Sequence, residues 1–211
     1  RILRIAVLPQ FQRHGLGQKL LQRTANYAEQ AGIDILSSSF GANAELLKFW
    51  QNFGFKTLRL GFSRDMASGE HSSLVAKSIS TRSAIYVDRI YSQFLTDFPG
   101  WLTDEFSTLS VELVGQIVGE ITNFEFELEQ DKAKVDLFIQ NKLQYSPAAV
   151  AIARWGYSQM LSKDFRVMPC VFIRRCLQKR SWKEIGLEFN LTGQKAILAK
   201  LKRELIDLEN L

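Results

Sequence analysis

Apolar positions change their period several times along the first 80 residues. Arg4-Ile5-Ala6-Val7-Leu8 is a short apolar run with two β-branched residues that stops at Pro9, the pattern of a buried strand ending in a turn. Leu16, Leu20, Leu21, Ala25 and Ala28 follow at helical spacing and predict a helix over 17–31, with Gly32 closing it. Ile33 to Phe40 reads as a strand and 41–43 as a loop. Asn43 or Ala44 then opens a second helix that runs to about Phe53 and stops at Gly54. Phe55 to Phe62 alternates with period two, and Ser73 to Ile79 forms a last strand after a loop over 63–71. The predicted order is β-α-β-α-β-β.

From Ser80 the pattern is helical. Ala84, Ile85, Val87, Ile90, Tyr91, Phe94 and Leu95 make one face of a helix over 84–98, and Phe98-Pro99-Gly100-Trp101 reads as a turn. Residues 104–122 are apolar and read as helical. The acidic run from Glu125 to Asp131 continues to Ile139 and reads as the solvated face of a helix. Ser146-Pro147 predicts a helix start with Ser as cap and Pro at the first position, and apolar spacing carries that helix to Met160. Val167 to Gln178 follows. Ser181 with Glu184 three residues on is a capping box, and Asn190-Leu191-Thr192-Gly193 joins two helices as in a helix-turn-helix. The fold class is therefore α+β, with residues 1–80 as an α/β segment and 81–211 as a mostly helical domain.

Charge sharpens this division. The total of +5 hides ten Lys/Arg against five Asp/Glu in residues 1–80, two against ten in 97–136, and twelve against six in 146–211. Two basic regions around an acidic middle suit a polyanionic partner, with solvated helix faces as the competing explanation for the tail. An apolar content of 46 % is enough for packed cores. No apolar run approaches the ~20 residues of a membrane span, and no secretory leader pattern opens the chain, so a cytoplasmic location without membrane contact is expected. Cys170 and Cys176 lack neighbouring ligand types and read as buried thiols of a reducing compartment. Two histidines, His14 and His71, exclude a His-rich metal site.

The chemistry concentrates in Gln12-Arg13-His14-Gly15-Leu16-Gly17-Gln18. Strand, glycine turn and helix N-terminus together offer unpaired amides and a positive dipole end to a phosphate. The dinucleotide fingerprint needs a third glycine, and the nucleoside-triphosphate loop needs Gly-Lys-Ser/Thr, where here Gly17 precedes Gln18-Lys19. The pattern Gln12-x-x-Gly15-x-Gly17 instead resembles the acyl-CoA loop of the GNAT N-acetyltransferases, and residues 1–80 are similar to the C-terminal half of that fold. Glu45-Leu46-x-x-Phe49-Trp50-x-x-x-Gly54-Phe55 resembles the family's second CoA-contacting helix. Trp50 stands where many members carry the Tyr that protonates departing CoA, and an indole N–H is far too weak an acid for that role. Together with Arg4-Ile5-Ala6-Val7-x-Pro9, Ser39-Phe40-Gly41 and Ser68-Gly69, these motifs resemble the bacterial tRNA(Met) cytidine acetyltransferases.

That resemblance implies acetyl-CoA as cofactor, held by Ile5, Ala6, Val7, Gln12, Arg13, His14, Gly15, Leu16, Gly17, Gln18 and Glu45. The family has an arginine at position 52; this chain has Asn52, whose amide keeps a phosphate donor but loses the charge. It also implies transfer of acetyl to the wobble cytidine of elongator tRNA(Met), giving N4-acetylcytidine, and an ATP-hydrolysing helicase-like module upstream in a longer parent protein. A GNAT domain carries its CoA loop near its middle, so the resemblance makes this chain the C-terminal part of that parent. For the tail, Arg174, Arg175, Lys200 and Lys202 are the candidate RNA contacts. Only Gln194 suits base readout at the front of the second helix, which favours RNA backbone over DNA sequence. No catalytic base is assigned in 1–80. Two other readings stay open: a GNAT acting on a protein or small amine, and an acyl-CoA-sensing regulator whose tail binds DNA.

Overall fold

The fold is described from a computed structural model covering residues 1–122, 128–161 and 167–210. It has two compact units, residues 1–96 and 97–211. In the first, helix α1 (Leu16–Gln30) buries Leu21, Ala25 and Ala28. It ends as its sequence requires: the Gly32 amide donates to Glu29 and the Ile33 amide to Ala28, at 3.1 and 2.8 Å, a paired closure of the last carbonyls. Strands β1 (Ile35–Gly41), β2 (Lys56–Arg64) and β3 (His71–Ser78) form an antiparallel sheet in the order β1-β3-β2. Ile35 faces Ser78 and Lys56 faces Ala76 across the ladders. Helix α2 (Ala44–Gln51) is capped by the Asn43 side chain, which accepts from the Leu46 amide at 2.9 Å. Leu47, Trp50, Phe55, Leu60 and Val75 are buried together in this unit.

One predicted strand is not there. Residues 4–8 form no ladder: the bond to the edge of β1 comes before them, from the Ile2 amide to the Ser37 carbonyl at 2.7 Å, backed by the Ser38 hydroxyl donating to the Ile2 carbonyl. Leu3 and Leu8 stay exposed and Val7 is half-buried. A strand needs a continuous run of partners, and apolar character alone does not supply them. The segment ends in a short 3-10 turn, Pro9–Phe11.

Helix α3 (Thr81–Trp101) runs on through the expected turn at 98–101. Phe98 is fully buried, and Pro99 sits close enough to the helix end to forfeit little beyond its own amide bond. In the second unit the helix expected over 104–122 is shorter: α4 (Val111–Gly119) starts at the Ser110 cap, after a series of turns. The acidic run lies partly outside the described residues, at 125–127. Its continuation forms α5 (Glu129–Ile139), where Asp131 is buried and paired with Arg154 at 2.8 Å rather than solvated. Helix α6 (Tyr145–Met160) begins before Ser146, with Gln144 as the cap residue. The Tyr145 ring packs edge-on against Phe138 and Trp182, and Pro147 falls in the first turn, where its missing amide is not needed.

Cys170–Phe172 forms the short α7, which continues as a π-helical turn, Ile173–Leu177. Helices α8 (Trp182–Glu188) and α9 (Gly193–Glu209) follow, and the Ser181–Glu184 capping box is present in both directions. Cys170 is half-buried and Cys176 buried; both are free thiols, and burial pushes Cys176 up to about 12.

A buried carboxyl ties α9 to α7. Glu204, 7 % exposed, accepts the amides of Val171 and Phe172 at 3.1 and 2.8 Å. Burial pushes its pKa from 4.5 up to about 7, against the pull of those two amides. The folded state therefore holds a proton that the unfolded chain has released between these values. Stability is highest below pH 4.5 as far as this group is concerned, and falls as pH rises towards 7, by on the order of 3 kcal/mol. Glu204→Gln is expected to flatten the decline in urea midpoint between about pH 5 and 7.5, read by tryptophan fluorescence; an unchanged slope would remove the assignment.

Candidate active site

The residues from Leu8 to Gln18 are shaped by their own backbone. The Phe11 amide donates to the Leu8 carbonyl at 2.8 Å and the Gln12 amide to Pro9 at 3.2 Å. The Gln12 side-chain amide reaches back to the Val7 carbonyl at 3.0 Å, and the His14 Nδ1 lies 2.7 Å from the Gln12 carbonyl. Arg13 and Gly15 take positive φ, 60° and 75°. Gly15 is the cap residue of α1 and supplies no side-chain cap. The first helical bond runs from Lys19 to Gly15, so the amides of Leu16, Gly17 and Gln18 precede it and point out of the helix end. A Cβ on Gly15 would meet nothing within 4 Å, leaving open space before these amides. At Gly17 a Cβ would stand 3.0 Å from the Phe49 ring. The glycine there lets α1 approach α2.

A cavity of about 550 Å3 opens at this helix end. Ten of the twelve residues expected at the cofactor site line it: Ile5, Ala6, Val7, Gln12, Arg13, Gly15, Leu16, Gly17, Gln18 and Glu45. His14 is exposed beside the loop but does not line the cavity, and Asn52 caps the far end of α2. Arg13 and Glu45 approach to 3.7 Å with both side chains 89 % exposed, a weak contact by exposure. The sequence reading missed Phe11, Asn43, Leu46 and Phe49, which also line the cavity. Phe49 lies four residues on from Glu45 and three on from Leu46, so its ring neighbours both on α2, a spacing visible in the sequence.

Trp50, the substitute for a tyrosine acid, is a core residue at 3 % exposure. It stacks on Phe40 at 5.8 Å and meets Phe55 edge-on at 4.8 Å. Its indole faces neighbours in the core rather than a leaving group.

Each of the four cations expected at RNA in the tail has a partner within the fold. Arg174, with its side chain 12 % exposed, holds Glu188 at 2.6 Å, the Leu109 carbonyl at 2.7 Å and the Gln178 side chain at 2.8 Å. Arg175 lies 4.4 Å from the Trp182 ring centre and donates to the Arg180 carbonyl. Lys200 lies over Phe189 at 4.8 Å. Lys202 sits over Phe138 and donates to the Asn141 side chain at 2.6 Å, and burial lowers its pKa. A count of cations in sequence does not show which ones the fold itself consumes.

Residues 1–57 match the acetyltransferase (GNAT) domain. The tRNA(Met) cytidine acetyltransferase TmcA of Nitrosococcus halophilus is 31 % identical over 97 % of this chain, and that of Pyrococcus furiosus 30 % over 91 %. The chain belongs to this family. The TmcA of Haemophilus influenzae is 43 % identical over 47 % of the chain. The chain spans about a quarter of the length of the first two relatives, 28 % and 25 %. The matched acetyltransferase segment lies in the first unit, and the α+β class follows the expected half-GNAT arrangement in the elements from α1 onward. No helix among the described residues is long and apolar enough to cross a membrane.

The internal role of Arg174 has a direct consequence. Arg174→Ala removes a largely buried cation from three acceptors, Glu188, the Leu109 carbonyl and Gln178, and is expected to lower unfolding free energy by on the order of 2–3 kcal/mol. Lys195→Ala, on an exposed position, should change it by less than about 0.5 kcal/mol. Equal urea midpoints for the two variants would mean that the Arg174 network is not structural.

Proposed function

We propose that this chain takes part in acetyl-CoA-dependent acetylation of the exocyclic N4 of cytidine in tRNA, at the wobble position of elongator tRNA(Met), in the cytoplasm. The observation that carries the reading is the cavity at the open end of α1, lined by the Ile5–Val7 segment, the glycine loop and the first turn of α2. The relatives named for tRNA(Met) cytidine acetylation support the substrate, and the ATP-hydrolysing module that the resemblance implies belongs to the same proposal.

The residues fit a CoA pyrophosphate. Unpaired amides at Leu16 to Gln18 and the open space before Gly15 admit an anion with no side chain in the way. The backbone of Ile5 to Val7, free of a ladder, can pair with the amide-bearing arm of the cofactor as a sheet edge accepts a strand. Phe11, Leu16 and Leu46 give the cavity apolar surface for the rest of that ligand. Bound acetyl-CoA supplies the activated acetyl group. The chain's part is placement: a cytosine amine is conjugated to its ring and is a weak nucleophile, so position and carbonyl polarisation by backbone amides outweigh basicity. Trp50 contributes no proton, being buried and a far weaker acid than tyrosine. His14 and Asn52 do not line the cavity, and the exposed Arg13–Glu45 contact at 3.7 Å contributes little to holding the loop.

Gly15→Asp sets a carboxylate against the anion position and should weaken acetyl-CoA binding by the 211-residue chain at least tenfold in calorimetry. Unchanged affinity would remove the loop from the site. The substrate is tested with a longer protein containing this chain: acetyl transfer from labelled acetyl-CoA to a tRNA(Met) transcript, lost when the wobble cytidine is replaced, is the expected result. Transfer to peptide or polyamine without transfer to tRNA would overturn the cytidine reading.

A further inference from the structure

Two concavities in the second unit adjoin at Gln194. One, of about 920 Å3, is lined by Asn141, Lys142, Gln144, Tyr145, Lys195 and Lys202 among others. The second, of about 410 Å3, lies over the α8–α9 turn and includes Trp182, Lys183, Asn190 and Thr192. Among the described residues, no Asp or Glu lines either one.

The cations there differ from others in the same unit. Lys132, Arg154, Arg174 and Arg180 each hold a carboxylate within 2.5–2.8 Å. Lys142, Lys183 and Lys195 are exposed and form no ion pair among the described residues. Among the described residues, Lys202 has a neutral amide and a ring face for partners and no carboxylate. Amide-bearing side chains, Asn141, Gln144, Asn190 and Gln194, alternate with these lysines. Helices α6 and α9, whose amino-terminal ends meet these concavities, have no side-chain caps. Unneutralised positive charge, neutral hydrogen-bonding groups and no acid make a surface for a chain of phosphates. Its lysines offer point charges without the bidentate arginine geometry that reads guanine in a duplex groove.

We infer that the double concavity around Gln194, with Lys142, Lys183, Lys195 and Lys202, is the RNA-backbone contact of the second unit. Arg174 and Arg175 are part of its scaffold. This rests on tRNA being the partner.

The test is salt-dependent binding of tRNA by the 211-residue chain. Each lysine that neutralises a phosphate adds about 0.7–0.9 to the slope of log K against log salt. The exposed triple variant Lys142→Gln, Lys183→Gln, Lys195→Gln is expected to lose about two units of slope and at least tenfold in affinity at ~0.1 M salt. Replacing the same three by arginine should keep the slope, and Lys134→Gln, an exposed cation outside both concavities, should leave it unchanged. Wild-type slope in the triple glutamine variant, with tRNA still bound, would overturn this surface while leaving the tRNA reading intact. Absence of tRNA binding by the unaltered chain, or tighter binding of duplex DNA at matched salt, would overturn that reading and this surface with it.

Discussion

The close approach of α1 to α2 is the constraint on which the first unit's site depends. Phe49 of α2 stands where a side chain on Gly17 would begin, so any larger residue would push the ring or the helix end aside. Because Gly17 is bare, the first turn of α1 lies beside the first turn of α2, and the amides of one face the same opening as Glu45 and Leu46 of the other. Gly15 completes the arrangement with a positive φ that turns the chain into the helix. The site is thus made mainly of backbone. Charged side chains contribute little: the one ion pair at its mouth is long and almost fully exposed.

The second unit solves a different problem, the burial of charge in a helical core. Glu204 closes the amino-terminal end of α7, Arg174 joins α8 to the turn before α4, and Asp131 holds Arg154. These groups are conspicuous in sequence as charges and serve in the structure as cross-links. Among the described residues of α8 and α9, Lys183, Lys195 and Arg203 stay exposed and form no ion pair. At Arg174 the planar guanidinium fork satisfies several acceptors at once, whereas an exposed lysine carries one mobile charge suited to solvent and phosphate.

Trp50 links family membership to mechanism. The residue keeps the aromatic packing of α2 against Phe40 and Phe55 and gives up the hydroxyl that many acetyltransferases use.

Most of the secondary structure and the place of the glycine loop were determined by the sequence alone, because they rest on local physics. Helical periodicity, the Gly32 and Gly54 stops, the Asn43 and Ser181 caps and the bare glycine turn act within a few residues of one another. Four things were decided by tertiary structure. Ile5 to Val7 is no strand, since a ladder needs a partner along its length. Pro99 lies inside a helix, since burial of Phe98 outweighs a lost amide. Asp131 is buried, since Arg154 stands opposite. Arg174 is scaffold and Lys195 is surface, although both are cations in a basic tail. Each of these depends on which distant residue comes to lie alongside, and spacing along the chain carries no record of that.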